Sequence, residues 1–453
     1  MADETERYDI MGYNIGMVSL GCAKNQTDAE TMLGILASYG HRLAAEPENA
    51  DVIVVNTCGF IESAKQESID TILEMAEYKK GRCKLLIVSG CLAERYHDDI
   101  LKELPEADAV VGTGDYDKIN EVIQKAMDGE KPVLAGHIDR TPEEGLPRIL
   151  STPSYTAYLK IADGCDNRCT YCAIPLIRGH FRSRSMEDIL AEAKELAKGG
   201  VKELILIAQD TTRYGIDLYG RYALSELLEK LTEVEGIDWI RVHYFYTESV
   251  TDELIETMAK YDKICNYIDM PIQHINNDIL RRMARRTNRA EIEEKIAKIR
   301  EKMPDCTIRT SLIVGFPGET EEQFEELCDF VREIKFDRAG VFAYSKEEDT
   351  PAANFEGQID EETKQKRLDK LMKIQQEISL ENNRKKISSV IEVLTEGYDE
   401  SNFMYFGRSR ADSIGVDSLV YFAAEDEVKT GEIVPVEILD ADEYDLTGRQ
   451  AAK

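Results

Sequence analysis

Three cysteines stand within eight residues, in Gly164-Cys165-Asp166-Asn167-Arg168-Cys169-Thr170-Tyr171-Cys172. The spacing CxxxCxxC lets three thiolates grip one face of a four-iron cluster, which ordinarily takes four. A set of three leaves one iron open to a small molecule. Two other readings compete for these residues. Cys169 and Cys172 could be half of a zinc site, but the chain holds no second CxxC to complete it. A thioredoxin-like pair would leave Cys165 without a role.

A second set is dispersed. Cys22 ends Val18-Ser19-Leu20-Gly21, Cys58 ends Val54-Val55-Asn56-Thr57, and Cys91 ends Ile87-Val88-Ser89-Gly90. Each follows an apolar, strand-like run and precedes a helical pattern. In a parallel sheet three such positions share one edge, the edge where open α/β folds bind ligands. Three thiolates therefore converge without a local motif, again with one iron left open. The competing reading is three buried core cysteines. Against it, Leu20-Gly21-Cys22-Ala23-Lys24-Asn25 and Asn56-Thr57-Cys58-Gly59-Phe60 are poor core sequences.

The elements that must position both sets are legible as alternating patterns. Residues 15–20, 51–55, 84–89 and 108–111 read as strands, with helices over 26–38, 62–78, 94–101 and 116–127. This predicts an N-terminal parallel α/β sheet domain over 13–130. Residues 131–153, rich in proline and charge, read as a linker. Six further strands, at 155–161, 202–208, 238–243, 265–270, 307–314 and 339–344, alternate with helices. They predict an incomplete (β/α)6 barrel over 154–358, with its active site at the strand C-terminal ends. A polar helical linker over 359–386 leads to short strands at 390–394, 403–406, 419–422 and 433–439, read as a small antiparallel β-barrel over 387–449. The fold class is α/β throughout its first two domains.

The CxxxCxxC loop, with an aromatic before its last cysteine and six βα units around it, resembles the radical S-adenosylmethionine (SAM) superfamily. That resemblance implies that the open iron binds SAM, which is cleaved to methionine and a hydrogen-abstracting 5′-deoxyadenosyl radical. Ser19-Leu20-Gly21-Cys22-Ala23-Lys24-Asn25, Asn56-Thr57-Cys58-Gly59-Phe60-Ile61 and Ser89-Gly90-Cys91 resemble the N-terminal domain of the methylthiotransferases. Membership would place a second [4Fe–4S] cluster on Cys22, Cys58 and Cys91, carrying or supplying the inserted sulfur. It would also make the C-terminal barrel a TRAM-like, substrate-binding domain.

Two branches of that family differ in substrate: a tRNA adenosine, or the β-carbon of an aspartate in small-subunit ribosomal protein S-twelve. Ser-Leu-Gly-Cys-Ala-Lys-Asn and the terminal Tyr444-Asp445-Leu446-Thr447-Gly448 resemble the second. Residues 387–453 hold fifteen Asp and Glu against five Lys and Arg, 5 − 15 = −10, which suits a basic protein and opposes tRNA phosphates. Two positions depart from the family pattern: Thr247 where proline is expected, and Thr447 where an aromatic is common. They bear on substrate contacts and not on the chemistry.

Tyr171 and the strand-end residues Gln209, Asp210, His243, Gln273, Gly315 and Tyr344 are the candidates for SAM or substrate contact. Each alone could equally be a turn or capping residue. No catalytic residue beyond the cluster cysteines is singled out. Cys83, Cys265, Cys306 and Cys328 fit no ligand pattern and read as core. Arg281, Arg282, Arg285 and Arg286 read as one basic helical face, solvated or in contact with RNA or the target aspartate.

The net charge of −31 is strongly acidic. No apolar run approaches a membrane span, and the acidic N-terminus lacks a basic-then-apolar leader pattern, so a cytoplasmic protein is expected. The expected partners are a basic ribosomal protein, free or within the small subunit, an electron donor and a sulfur donor. A reading from another class remains, a non-catalytic iron–sulfur carrier. It predicts fully ligated clusters, against two sets of three.

Overall fold

The computed structural model describes residues 12–141 and 143–451. The chain divides into two compact units. One comprises the chain up to Pro153 together with Asp163–Asp166 and Cys172–Arg182; the other comprises Ser154–Ala162, Asn167–Tyr171 and the chain from Ser183 onward.

The first unit is built on a parallel sheet: β1 (Asn14–Ser19), β2 (Arg42–Leu43), β3 (Val52–Thr57), β4 (Leu85–Gly90), β5 (Ala109–Val111) and β6 (Val133–Leu134). Its order is β2-β1-β3-β4-β5-β6, and every neighbouring pair is parallel. The strand runs Val-Ile-Val-Val and Leu-Leu-Ile-Val are apolar at every position because both faces are covered. Val52 and Val54 point into one core, with Met32 and Leu36 of α1 (Ala23–Ser38). Ile53 and Val55 point into the other, with Ile72 and Met75 of α2 (Glu62–Ala76). α3 (Cys91–Arg95), α4 (His97–Glu103) and α5 (Ile119–Met127) complete the two layers.

The stretch read as a linker is part of this unit. β6 pairs with β5. Arg148 and the Ser151 hydroxyl bond the fully buried Glu30 of α1 at 2.5 and 2.6 Å. A buried carboxylate needs such partners, and local composition does not reveal that the partners lie more than a hundred residues away.

In the second unit β7 (Thr156–Lys160) is followed by two-residue strands β8 (Ala162–Asp163) and β9 (Arg182–Ser183), whose ends straddle the unit boundary, and then by β10 (Glu203–Ile207), β11 (Trp239–Val242), β12 (Tyr267–Asp269), β13 (Thr307–Val314) and β14 (Arg338–Ala343). β7, β10 and β11 form one parallel sheet, and β12, β13 and β14 another. A single parallel bridge, Ile240 to Ile264, joins the two halves of this six-stranded open barrel. After α6 (Ile174–Arg178) of the first unit come α7 (Met186–Lys198), α8 (Leu224–Thr232), α9 (Asp252–Lys260), α10 (Asn277–Arg282), α11 (Arg289–Lys302) and α12 (Glu321–Ile334). Capping boxes at Asn288/Glu291 and Thr320/Gln323 start the last two.

The long α13 (Glu361–Arg384) leads into a closed barrel of β15 (Val390–Asp399), β16 (Met404–Ser409), β17 (Val420–Ala423), β18 (Ile433–Ala441) and β19 (Leu446–Gln450). The expected antiparallel arrangement holds for four of its five ladders, while β17 and β19 pair in parallel to close it.

Candidate active site

The strand order 2-1-3 reverses direction between β1 and β3, and open α/β sheets bind ligands in the crevice at such a switch point. Cys22 follows β1 and Cys58 follows β3, on either side of that reversal, and Cys91 follows the next strand, β4. The three turns touch. A Cβ on Gly21, whose φ is +87°, would meet the Cys58 Cβ at 2.9 Å, and one on Gly59 would meet Leu92 N at 2.8 Å. Glycine is required at both places because the neighbouring turn, by the Cys58 side chain at Gly21 and by its backbone at Gly59, already fills the space of a Cβ.

Side chains hold the turns in register. Asn25 Nδ2 donates to Leu20 O at 2.7 Å and Thr57 O at 3.1 Å, while Asn56 Nδ2 donates to Asn25 O at 2.7 Å. The Ser68 hydroxyl accepts from Cys58 N and donates to Cys58 O. Cys22 is the N-cap of α1 and Cys91 the first residue of α3, where exposed N–H groups favour a thiolate. At Cys22 crowding by the protein opposes ionisation, but the Lys24 ammonium, the N–H of Asn25 and the Arg178 guanidinium outweigh it and hold the thiol below its ordinary value. Burial pushes Cys91 up to about 12, with Arg178 opposing and the neighbouring Cys22 and Cys58 adding to the rise. Burial, despite N–H donation from Phe60, also raises Cys58. Mutual repulsion among three thiolates is what a shared cationic cluster relieves.

Among the described residues no three His, Cys, Asp or Glu side chains stand close enough to grip a single metal ion. Three sulfur donors, braced backbones and a guanidinium N–H aimed at one sulfur fit a four-iron cluster.

In the second set, Cys165 and Cys172 belong to the first unit and Cys169 to the second. The three are grouped by chain proximity, eight residues in all. Cys165 and Cys169 are buried and Cys172 is half-buried. Asn167 Nδ2 donates to Asp210 Oδ2 at 2.8 Å, and the Thr212 hydroxyl donates to Asp210 Oδ1 at 2.6 Å. Burial raises the fully enclosed Asp210 carboxyl, against those two bonds. Thr170 N and Oγ1 bond the carbonyls of Met283 and Arg282. The Tyr246 hydroxyl lies 3.7 Å from Cys169 Sγ.

The predicted strand-end residues separate into groups. Asp210 holds the cysteine loop. Tyr171 packs, with Tyr344, on the cluster of Ile279, Met283 and Phe316. Gln209 is half-buried. Gln273, at φ +68°, donates its N–H to Ser311 O. Gly315, at φ +72°, faces Lys364, whose Cγ would sit 2.4 Å from an added Cβ. His243 bonds Ser413 of the C-terminal barrel at 2.8 Å. Arg168, Tyr244 and Gln273 are non-glycine residues with left-handed backbones, in the cysteine loop and just past β11 and β12. Such strain collects at functional sites.

The four arginines do not form one face. α10 ends at Arg282; Arg281 and Arg286 are exposed, while Arg285 is buried. Arg285 stacks at 4.3 Å on the Tyr246 ring and donates to Pro271 O. Among the described residues it has no carboxylate in ion-pair reach. Periodicity could not separate it from its exposed neighbours. Asn25, Ser68 and Arg178 also went unassigned in the sequence. The first lies inside a quoted motif, and the other two carry no local signal. Cys83, Cys265, Cys306 and Cys328 are buried, as expected for core residues.

Three regions of the chain match known families: the uncharacterized protein family UPF0004 over residues 14–112, the Radical SAM superfamily over 159–331 and the TRAM domain over 387–450. The radical SAM methyltransferase TsrM from Kitasatospora setae, whose structure holds cobalamin and a [4Fe–4S] cluster, shares the fold at a TM-score of 0.55 and 12% identity, covering 76% of this chain and 74% of its own. The matched families and its close relatives make this chain a radical SAM transferase that uses SAM and [4Fe–4S] clusters.

The particular kind follows from close relatives. A ribosomal protein uS12 methylthiotransferase RimO from Clostridioides difficile (strain 630) is 56% identical over 96% of this chain and 98% of its own, and one from Thermoanaerobacter sp. (strain X514) is 51% identical over 96% and 99%. The chain belongs to the RimO family of methylthiotransferases. Among the described residues no helix is long and apolar enough to cross a membrane.

Proposed function

We propose that this chain inserts a methylthio group at the β-carbon of an aspartate of ribosomal protein uS12, in the cytoplasm. The observation that carries the chemistry is the convergence of the Cys22, Cys58 and Cys91 turns at the sheet's switch point, in a chain that also bears CxxxCxxC. The choice of substrate is supported by the relatives' names and by the C-terminal barrel. That barrel's net charge is −10 (5 − 15), and the buried Arg408 and Asp412 within that count offset each other. Such a surface attracts a basic protein and repels tRNA.

Cys22, Cys58 and Cys91 would hold one cluster and Cys165, Cys169 and Cys172 the other. Held by Cys165, Cys169 and Cys172, the second cluster would, when reduced, supply the electron that splits SAM. Asn25, Asn56 and Ser68 fix the first set, and Asp210 fixes the loop of the second through Asn167. Tyr171, Gln209, Asp210, His243, Gln273, Gly315 and Tyr344 are the SAM and substrate candidates. Arg285 offers them a buried cation for a carboxylate. The electron donor and the sulfur donor come from outside the chain.

The test is anaerobic. Protein reconstituted with iron and sulfide receives SAM and a strong reductant, with uS12 (free, and in the small subunit) and a tRNA anticodon stem-loop in parallel. Mass spectrometry should find a gain of SCH₂ on the aspartate of uS12. Gain on the RNA alone would reassign the substrate, and absence of deoxyadenosine would remove the radical chemistry.

A further inference from the structure

Arg178 closes α6, and its side chain is 2% exposed. Its guanidinium reaches Asp28 Oδ2 at 2.5 Å and Asp163 Oδ2 at 3.2 Å through Nη1. Through Nη2 it reaches Asn25 Oδ1 at 3.3 Å and the Cys91 sulfur at 3.7 Å. A buried ion pair is weak evidence for a contribution to stability, because desolvation offsets the attraction. What the pair does here is orient. Two carboxylates fix one edge of the planar fork, and the other edge is thereby aimed at Asn25 and Cys91.

The segment carrying Arg178 is itself held against Cys91. Ala173 and Ile177 pack on Cys91 in one small buried cluster, and Ile177 O accepts from the Thr113 hydroxyl at 2.5 Å. Ala173 is the residue after Cys172. The chain leaving the CxxxCxxC loop therefore runs directly to a ligand candidate of the other set.

We propose that Arg178 is a positioning residue for the cluster on Cys22, Cys58 and Cys91, donating an N–H to the Cys91 sulfur and raising that cluster's reduction potential. This rests on the ligand assignment proposed above. Hydrogen bonds to ligand sulfur stabilise the more negative, reduced form, which is how a protein raises a cluster's potential. Asn25 shares the same fork edge, so the brace of the cysteine turns and the sulfur contact are one assembly.

The experiment uses the full chain carrying Cys165→Ala, Cys169→Ala and Cys172→Ala, so that any remaining cluster sits on the N-terminal set. Iron analysis and Mössbauer spectroscopy should show one four-iron cluster. No bound cluster would overturn the ligand assignment and the inference with it. On that background, Arg178→Lys and Arg178→Gln are compared by EPR-monitored potentiometry. The expected result is four irons retained and a midpoint shifted to more negative values, further for Gln than for Lys. Arg178→Lys keeps a cation for Asp28, so it guards against loss of folding. In protein labelled with ¹⁵N-arginine, the reduced cluster should show a nitrogen coupling that Arg178→Lys abolishes. Unchanged midpoints in both variants with the cluster intact, or a coupling that survives the substitution, would overturn the role of Arg178.

Discussion

Asn25 and Asn56 brace each other across the switch point: Asn56 Nδ2 donates to Asn25 O at 2.7 Å, and Asn25 Nδ2 lies 3.4 Å from Asn56 O. Both side chains are buried. Losing either removes a buried side-chain bond that ties one cysteine turn to the next. Asn56→Ala or Asn25→Ala should cost about 1–3 kcal/mol in denaturant unfolding of the cluster-free protein. Each should also lower iron retention by Cys22, Cys58 and Cys91 without lowering retention by the other set. Iron analysis in the two complementary triple-cysteine backgrounds checks this. Equal losses in both backgrounds would make the brace a general stabiliser only.

Asp210 and Asn167 join a strand end to the CxxxCxxC loop by a bond of 2.8 Å. Asp210→Ala and Asn167→Ala should each reduce SAM cleavage by about 10–100-fold, the usual effect of losing a partner that orients a metal-binding loop. The double variant should be little worse than either single one, since both remove the same bond. Deoxyadenosine yield per cluster, measured after reconstitution, gives the ratio.

How much of this was legible in the sequence depends on the range over which each feature acts. The strands after which the six cysteines stand are apolar runs that alternate with helical patterns, so the sheet domain, the six-stranded barrel and the terminal β-barrel could be read. β2 and β6 are two residues each, too short for any period to register, and β2 is the strand that creates the switch point beside Cys22. β19 was hidden because Leu446 is the one apolar side chain in Leu446–Gln450, its other inward position being Gly448. Arg178 and Ser68 bond cysteine turns from distant or unremarkable sequence, and Arg285 is told from Arg286 only by burial. His243 sits at a strand end as expected, but its partner Ser413 is 170 residues away.

The buried charges between the barrel strands and the C-terminal domain make a strong stability prediction. Arg408 bonds Glu203 Oε2 at 2.6 Å and Glu396 Oε1 at 2.7 Å, while Arg241 bonds Glu203 Oε1 at 2.9 Å. Arg408→Met should destabilise by about 3–5 kcal/mol, because it leaves Glu396 without its cation and Glu203 with Arg241 alone. Burial opposes the Glu203 charge, but Arg408 and Arg241 outweigh it and hold the carboxyl down at about 2. Its contribution is therefore present above the unfolded value of 4.5 and lost as pH falls from there toward 2. Denaturant titrations of wild type and Glu203→Gln should converge as the pH is lowered through that window.

His274 and Glu319 give the opposite pair of shifts at one buried place. His274 Nδ1 accepts from Asn276 N at 3.0 Å, and its Nε2 lies 4.0 Å from Glu319 Oε2. Burial, reinforced by the Arg367 guanidinium, pushes His274 down to about 3, so the folded protein holds it neutral. Burial, opposed by that same guanidinium, pushes Glu319 up to about 7. For His274 the stability is fully present above the ordinary value of 6.5 and is lost as pH falls toward 3. For Glu319 the folded state holds the extra proton, so stability is fully present below 4.5 and lost as pH rises toward 7. Between 4.5 and 6.5 the two slopes cancel, each being about 1.4 kcal/mol per pH unit. In His274→Gln only the Glu319 slope survives. The stability of wild type minus that of the variant should therefore fall by about 1.4 kcal/mol per unit as pH drops below 6.5. Urea unfolding of the two cluster-free proteins at half-unit steps measures it, and a pH-independent difference would show that His274 titrates normally in the folded chain.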